Sequence, residues 1–143
     1  MNRGAIIDIG SNSVRLIIYH INEHSNFEVI DEAKETIRLG SYLTKNNYLI
    51  DDGIEIAINV LKRFKEICQR YEVVEIYVVA TEAVRKAVNR SYICNRIESE
   101  LGLNVNILSG KEEARDGYLA VKNSMKEKDA VLLDLGGSSM EIT

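Results

Sequence analysis

The chain has 143 residues and a formal net charge of −4, with 45% hydrophobic and 28% charged residues, the balance of a soluble globular domain long enough to bury its own core. Two cysteines, Cys68 and Cys94, are too few for a disulfide framework or a zinc site, and no apolar run reaches the roughly 18 residues of a membrane span. The acidic balance argues against general nucleic-acid binding, while leaving room for anions in a local pocket.

Met1-Asn2-Arg3-Gly4 runs straight into a strand-like segment without a secretory pattern, so the chain reads as cytoplasmic. Three extended segments come first: the apolar run Ala5 to Ile9, then Val14 to Ile21, then Phe27 to Leu39. Their short spacings predict an antiparallel meander. Ile54, Ala57, Ile58, Leu61, Phe64 or Lys65, Cys68 and Tyr71 recur at three- and four-residue steps, which predicts a long helix with Asp51 or Asp52 as N-cap. Val73 to Ala80 reads as a buried strand, and Thr81 as the cap of a short helix over Glu82 to Val88. A helix from Ser91 to Leu101 ended by Gly102, a strand Val105 to Leu108, a helix from Gly110 to about Lys126 and a strand Ala130 to Leu135 complete the order. Antiparallel strands feeding alternating units predict an α/β fold, a mixed sheet in βββαβαβα order with helices packed on it.

One internal echo carries chemical meaning. Ile7-Asp8-Ile9-Gly10-Ser11-Asn12-Ser13-Val14 is repeated, 126 residues on, as Leu133-Asp134-Leu135-Gly136-Gly137-Ser138-Ser139-Met140. Each copy is an apolar strand bearing Asp, a glycine, a turn of small residues and a second strand. A carboxylate near a strand end can hold a hydrated magnesium ion. Glycine lets the backbone turn tightly, and the N–H and hydroxyl groups that follow can point at phosphate oxygens. One such turn is an ordinary hairpin; two matched copies a domain length apart make a paired phosphate-loop motif.

These loops resemble those of the acetate kinase, sugar kinase and actin superfamily. The closer resemblance is to the exopolyphosphatase and guanosine pentaphosphate phosphatase (Ppx/GppA) family. It rests on Asp8 to Arg15, Arg38-Leu39-Gly40, Ala80 to Ala87, Ser109 to Arg115 and Asp134 to Glu141, in family order along the whole chain. The resemblance implies a ribonuclease-H-like, actin-like ATPase domain over residues 1–128. Residues 129–143 would then be the opening hairpin of a second lobe, so the chain reads as an excised piece of a longer protein.

It also implies a phosphohydrolase that releases terminal phosphate from inorganic polyphosphate or guanosine pentaphosphate, with Mg2+ as cofactor. Ser109 and Glu112 fit a helix capping box, which leaves Glu113 about 100° further round the helix. The family's catalytic glutamate falls on Glu113, with the role of general base toward the attacking water. Arg85 falls on the arginine that neutralises phosphoryl oxygens. Asp8, Asp134 and Glu141 take the metal-linked positions, with Gly10, Ser11, Asn12, Ser13, Arg38, Gly136, Gly137, Ser138 and Ser139 as phosphate-binding residues. Taken by themselves, Glu113 is a first-turn carboxylate suited to the helix dipole, and Asp8 and Asp134 are ordinary turn-capping aspartates. Arg15 and Arg38 lie on predicted strands, where an outward arginine is normal.

Two departures from the family pattern stand out: Ser138 where a third glycine is usual, and Asp116-Gly117 inside the helix that carries Glu113. Gly117 weakens a helix by about 1 kcal/mol relative to Ala. His20 and His24 flank a hairpin turn with no Cys or acidic partner at ligand spacing. With half the cleft missing, the chain alone should be poorly active, and the hairpin deprived of its sheet should pair with a second copy as a homodimer. Two further functions fit the same superfamily: a non-catalytic nucleotide- or polyphosphate-binding module, and a small-molecule kinase.

Overall fold

The computed structural model describes residues 2–24 and 26–115, together with the backbone of residues 133–135 and 140–142. β1 (Arg3–Ile9), β2 (Ser13–Ile21) and β3 (Phe27–Thr36) form the expected antiparallel meander. The alternation of apolar residues sets its register. Ala5, Ile7 and Ile9 of β1 lie opposite Ile18, Leu16 and Val14 of β2, and all six are buried, so one face of the hairpin is wholly apolar. A bulge between Ile18 and Tyr19 shifts the β2–β3 register.

The chain then crosses the sheet through α1 (Asp51–Arg70), which buries Ile54, Ala57, Ile58, Leu61, Phe64 and Cys68 on one face. β4 (Glu75–Ala80) returns parallel to β1, setting Val78 beside Ile7 and Ala80 beside Ile9. The short α2 (Glu82–Lys86) and α3 (Arg90–Leu101) lead to β5 (Val105–Ile107), parallel to β4. The sheet order is β3-β2-β1-β4-β5, the mixed α/β sheet of a ribonuclease-H-like domain. A helix begins at residue 110 and is described as far as residue 115. β6 (Leu133–Leu135) and β7 (Met140–Ile142) pair antiparallel as a separate two-stranded sheet. Among the described residues no helix is long and apolar enough to cross a membrane.

Three local expectations are corrected. The N-cap of α1 is Ile50, whose carbonyl accepts from Gly53 N and Ile54 N; Asp51 and Asp52 sit in the first turn, where their charge complements the helix dipole. Thr81 does occupy the cap position of α2, but its side chain makes no capping hydrogen bond. β3 stops at Thr36, and Arg38 is not on a strand. It takes a left-handed conformation (φ 52°, ψ 49°) and caps a 3-10 helix, Leu39–Tyr42. His20, with no partner at ligand spacing in the sequence, forms a cross-strand ion pair with Glu28, which lies opposite it on β3 with Nε2 and Oε2 2.9 Å apart. Gly102 ends α3 as expected, at φ 66° with its N–H on Glu98 O. The departure at Asp116-Gly117 lies outside the described residues.

Candidate active site

The first phosphate-loop candidate is the turn between β1 and β2. Gly10 N donates to Ser13 O at 3.0 Å, and a Cβ on Gly10 would stand only 3.0 Å from that oxygen. The turn therefore closes most easily with glycine. Its carbonyls point back toward the segment after β3: Asn12 O accepts from Ile37 N (2.9 Å) and Arg38 N (2.8 Å), and Ser11 O accepts from Gly40 N (2.9 Å). These bonds require the chain to reverse sharply after β3, and the left-handed Arg38 makes that reversal. Ser41 fastens it, through N and Oγ, to Arg38 O at 2.9 and 2.7 Å.

With its carbonyls engaged, the loop lines an open pocket of about 380 Å3 together with Arg38, Ser41, Asn47 and Lys86. Ser11 Oγ is buried and has no hydrogen-bond partner among the described residues, as expected of a hydroxyl placed to meet a ligand oxygen. Ser13 Oγ instead meets Thr36 Oγ1 at 3.3 Å. Asp8 lies just before the loop on β1, between Arg15 of β2 and Val79 of β4. It is half-buried, with Oδ1 screened from solvent.

The two residues expected to carry the chemistry meet. Arg85, on α2, sends Nη1 to Leu108 O at 2.7 Å and to Glu113 Oε2 at 3.3 Å. Both side chains are partly buried, 27% and 19% exposed, so their attraction is screened less than that of a surface pair. The capping duty falls to Glu112: its Oε2 accepts from Ser109 N at 2.7 Å, and Ser109 Oγ accepts from Glu112 N at 3.1 Å. The capping box read from the sequence is thus present, bond for bond.

The remaining candidates divide. Arg15 lines a different hollow on the sheet, with Glu32 and Lys34. Asp134 and Glu141 occupy directly paired positions of β6 and β7. Gly136, Gly137, Ser138 and Ser139 lie outside the described residues. Sequence reasoning missed Lys86 and Asn47. The signal for Lys86 was its place next to Arg85; that for Asn47 was a polar turn, Lys45-Asn46-Asn47, in which Asn47 adopts φ 58°.

Among the described residues no three His, Cys, Asp or Glu side chains cluster as a closed metal cage. Mg2+ does not need one, because it binds through one or two carboxylates plus waters and substrate phosphates. Asp8 beside a hydroxyl-bearing loop fits that donor set.

A family model described as the Ppx/GppA phosphatase family matches residues 17–143. The chain belongs to the Ppx/GppA phosphatase family. It is 34% identical, over 97% of its length, to a bifunctional 3-dehydroquinate synthase/phosphatase of Fusobacterium nucleatum, and covers 22% of that protein. It is 33% identical, over 96% of its length, to a guanosine-5'-triphosphate,3'-diphosphate pyrophosphatase of Pseudoalteromonas atlantica, covering 27% of it. The crystal structure of an exopolyphosphatase from Cytophaga hutchinsonii superposes with a TM-score of 0.91 at 27% identity, over 99% of this chain and 46% of that one. The chain therefore spans about a quarter of the two curated relatives and less than half of the crystallised one. The Ppx/GppA fold expected from the sequence is the fold observed.

Proposed function

We propose that this chain supplies the catalytic lobe of a phosphohydrolase that releases terminal phosphate from inorganic polyphosphate or guanosine pentaphosphate. The observation that carries this reading is the Arg85–Glu113 contact on a scaffold whose neighbouring loop, Gly10 to Ser13, is shaped for phosphate. Glu113 orients a water and takes its proton as the water oxygen bonds to the terminal phosphorus. The bond from that phosphorus to the bridging oxygen breaks, and the shortened chain leaves with the bridging oxygen's charge. Arg85 sits where it can neutralise the oxygens of the transferring group, the main electrostatic demand of a loose transition state. Asp8, with Asp134 and Glu141, would hold Mg2+, which supplies further charge neutralisation when bound.

Residues 1–128 act in this reading as one lobe, and residues 129–143 open the second. Full activity then needs more chain than the 143 residues provide. The test is phosphate release from polyphosphate and from guanosine pentaphosphate by the naturally encoded protein and its Glu113→Gln variant. We expect a loss of about 10²- to 10⁴-fold, the usual contribution of a general base, with a stability cost no larger than that of one partly exposed ion pair, about 1 kcal/mol. Magnesium-dependent binding without hydrolysis, indifferent to Glu113→Gln, would instead make this a binding module.

A further inference from the structure

α2 delivers two cations from adjacent positions, and it sends them to different places. Arg85 is engaged with Glu113 and Leu108 O, whereas Lys86 lines the pocket beside Ser11 and Asn12. Consecutive helical residues diverge by about 100°, so one short helix sends its two cations to different surroundings. Among the described residues, the charged side chains that line that pocket are the two cations Arg38 and Lys86. This is the reverse of the chain's overall charge of −4. The hollow around Arg15, by contrast, has the carboxylate Glu32 in its lining beside Arg15 and Lys34.

The Lys86 ammonium is also held in place. Glu82, one turn back on α2 and only 6% exposed, ion-pairs with it through Oε1. A buried carboxylate that grips a pocket-lining ammonium limits the conformational freedom lost when an anion arrives. The opposite wall is fixed as well, because Val88 N donates to Asn47 O at 2.8 Å.

From this arrangement we infer that Lys86 and Arg38 form a second anion subsite, which holds a phosphoryl group of the substrate that does not react. Arg85 and Glu113 serve the terminal phosphoryl group, and Lys86 the chain behind it. The inference rests on the phosphohydrolase reading and extends it: the pocket selects linear substrates with several consecutive phosphates. Lys86 is a positioning residue here, so its loss acts on binding and leaves the chemical step intact.

Steady-state kinetics of the naturally encoded protein, Lys86→Ala and Lys86→Arg on polyphosphates of increasing length test this. Lys86→Ala should raise KM at least about fivefold on long chains, with a smaller effect on the shortest substrate and kcat within twofold. Lys86→Arg, which keeps the charge, should restore most of the loss. A KM unchanged by Lys86→Ala, or a loss confined to kcat, overturns the subsite while leaving the hydrolase reading in place. If the wild-type protein releases no phosphate, the hydrolase reading fails, and calorimetric binding of tripolyphosphate decides the subsite alone. A fivefold weaker affinity in Lys86→Ala supports it, and an unchanged affinity overturns it.

Discussion

Asn89 pairs with the backbone of Leu49 as a strand residue would. Its Nδ2 donates to Leu49 O at 2.9 Å and its Oδ1 accepts from Leu49 N at 3.0 Å. One side chain thus satisfies both polar groups of a fully buried residue and ties the turn carrying Asn47 to the junction of α2 and α3. Asn89→Ala leaves both groups without that partner, a cost of about 1–3 kcal/mol for each buried group left unsatisfied. Asn89→Asp keeps the acceptor but loses the donor, and should fall between wild type and Asn89→Ala in a chemical denaturation series.

Gly53 sets two local preferences against each other. A Cβ there would lie 2.6 Å from Tyr42 Cβ, so α1 and the 3-10 helix approach as closely as glycine allows. Alanine gains up to about 1 kcal/mol of helix propensity, but overpacking typically costs about 1–3 kcal/mol. Because the clash falls on the first side-chain carbon and not on a flexible tip, Gly53→Ala should lower the melting temperature. A raised melting temperature would mean that the 3-10 helix moves aside without penalty.

Ser109→Ala and Glu112→Ala each remove half of a reciprocal cap, worth about 1 kcal/mol. They should destabilise the protein similarly, and the double variant should lose less than the sum of the two. Glu113→Gln gives up the charge opposite Arg85 and should cost no more than about 1 kcal/mol. Thermal melts of the four variants, set beside their rates of phosphate release, separate a glutamate whose loss is read in stability from one whose loss is read in activity.

Burial pushes the Cys68 thiol from its ordinary 9.0 up to about 11, and desolvation also raises Cys94. The sign follows from proton uptake. Between about pH 9 and pH 11 the unfolded chain has lost the Cys68 proton and the folded one has kept it, so stability should fall as pH rises through that window. Below pH 9 this group should leave stability flat. A Cys68→Ala variant should show a shallower alkaline decline, and at pH 8 a thiol reagent should reach Cys68 only on unfolding.

Much of this was legible from local pattern. Alternating Ala5, Ile7 and Ile9 marks β1, the recurrence from Ile54 to Cys68 marks α1, and Ser109 with Glu112 announces its own cap. Each of these depends on residues within one or two turns of one another. Arg38 was misread because nothing near it in sequence shows that its N–H will reach Asn12 O; that bond spans the whole of β2 and β3. Ile50 replaced Asp51 as cap for a related reason. Its N–H donates to Tyr42 O while its carbonyl accepts from Gly53 N and Ile54 N, and the tertiary bond to Tyr42 outranks the capping preference of aspartate. The ion pair of His20 with Glu28 was not legible because the two are neighbours only across strands. Lys86 was passed over because position alone does not show into which side of a loop a side chain leads.

Asp8 stands between two partners of unequal reach. Arg15 arrives with the first hairpin, whereas Val79 arrives only after the 20-residue α1 has closed over the sheet. Local pairing forms quickly and distant pairing waits on the entropy of closing a long loop. During synthesis, then, the meander can form while β1, the middle strand of the finished sheet, still has one bare edge, open to other chains until β4 docks. The Asp8 carboxylate gains its second strand neighbour only then, so this corner of the proposed phosphate site assembles as that edge is buried.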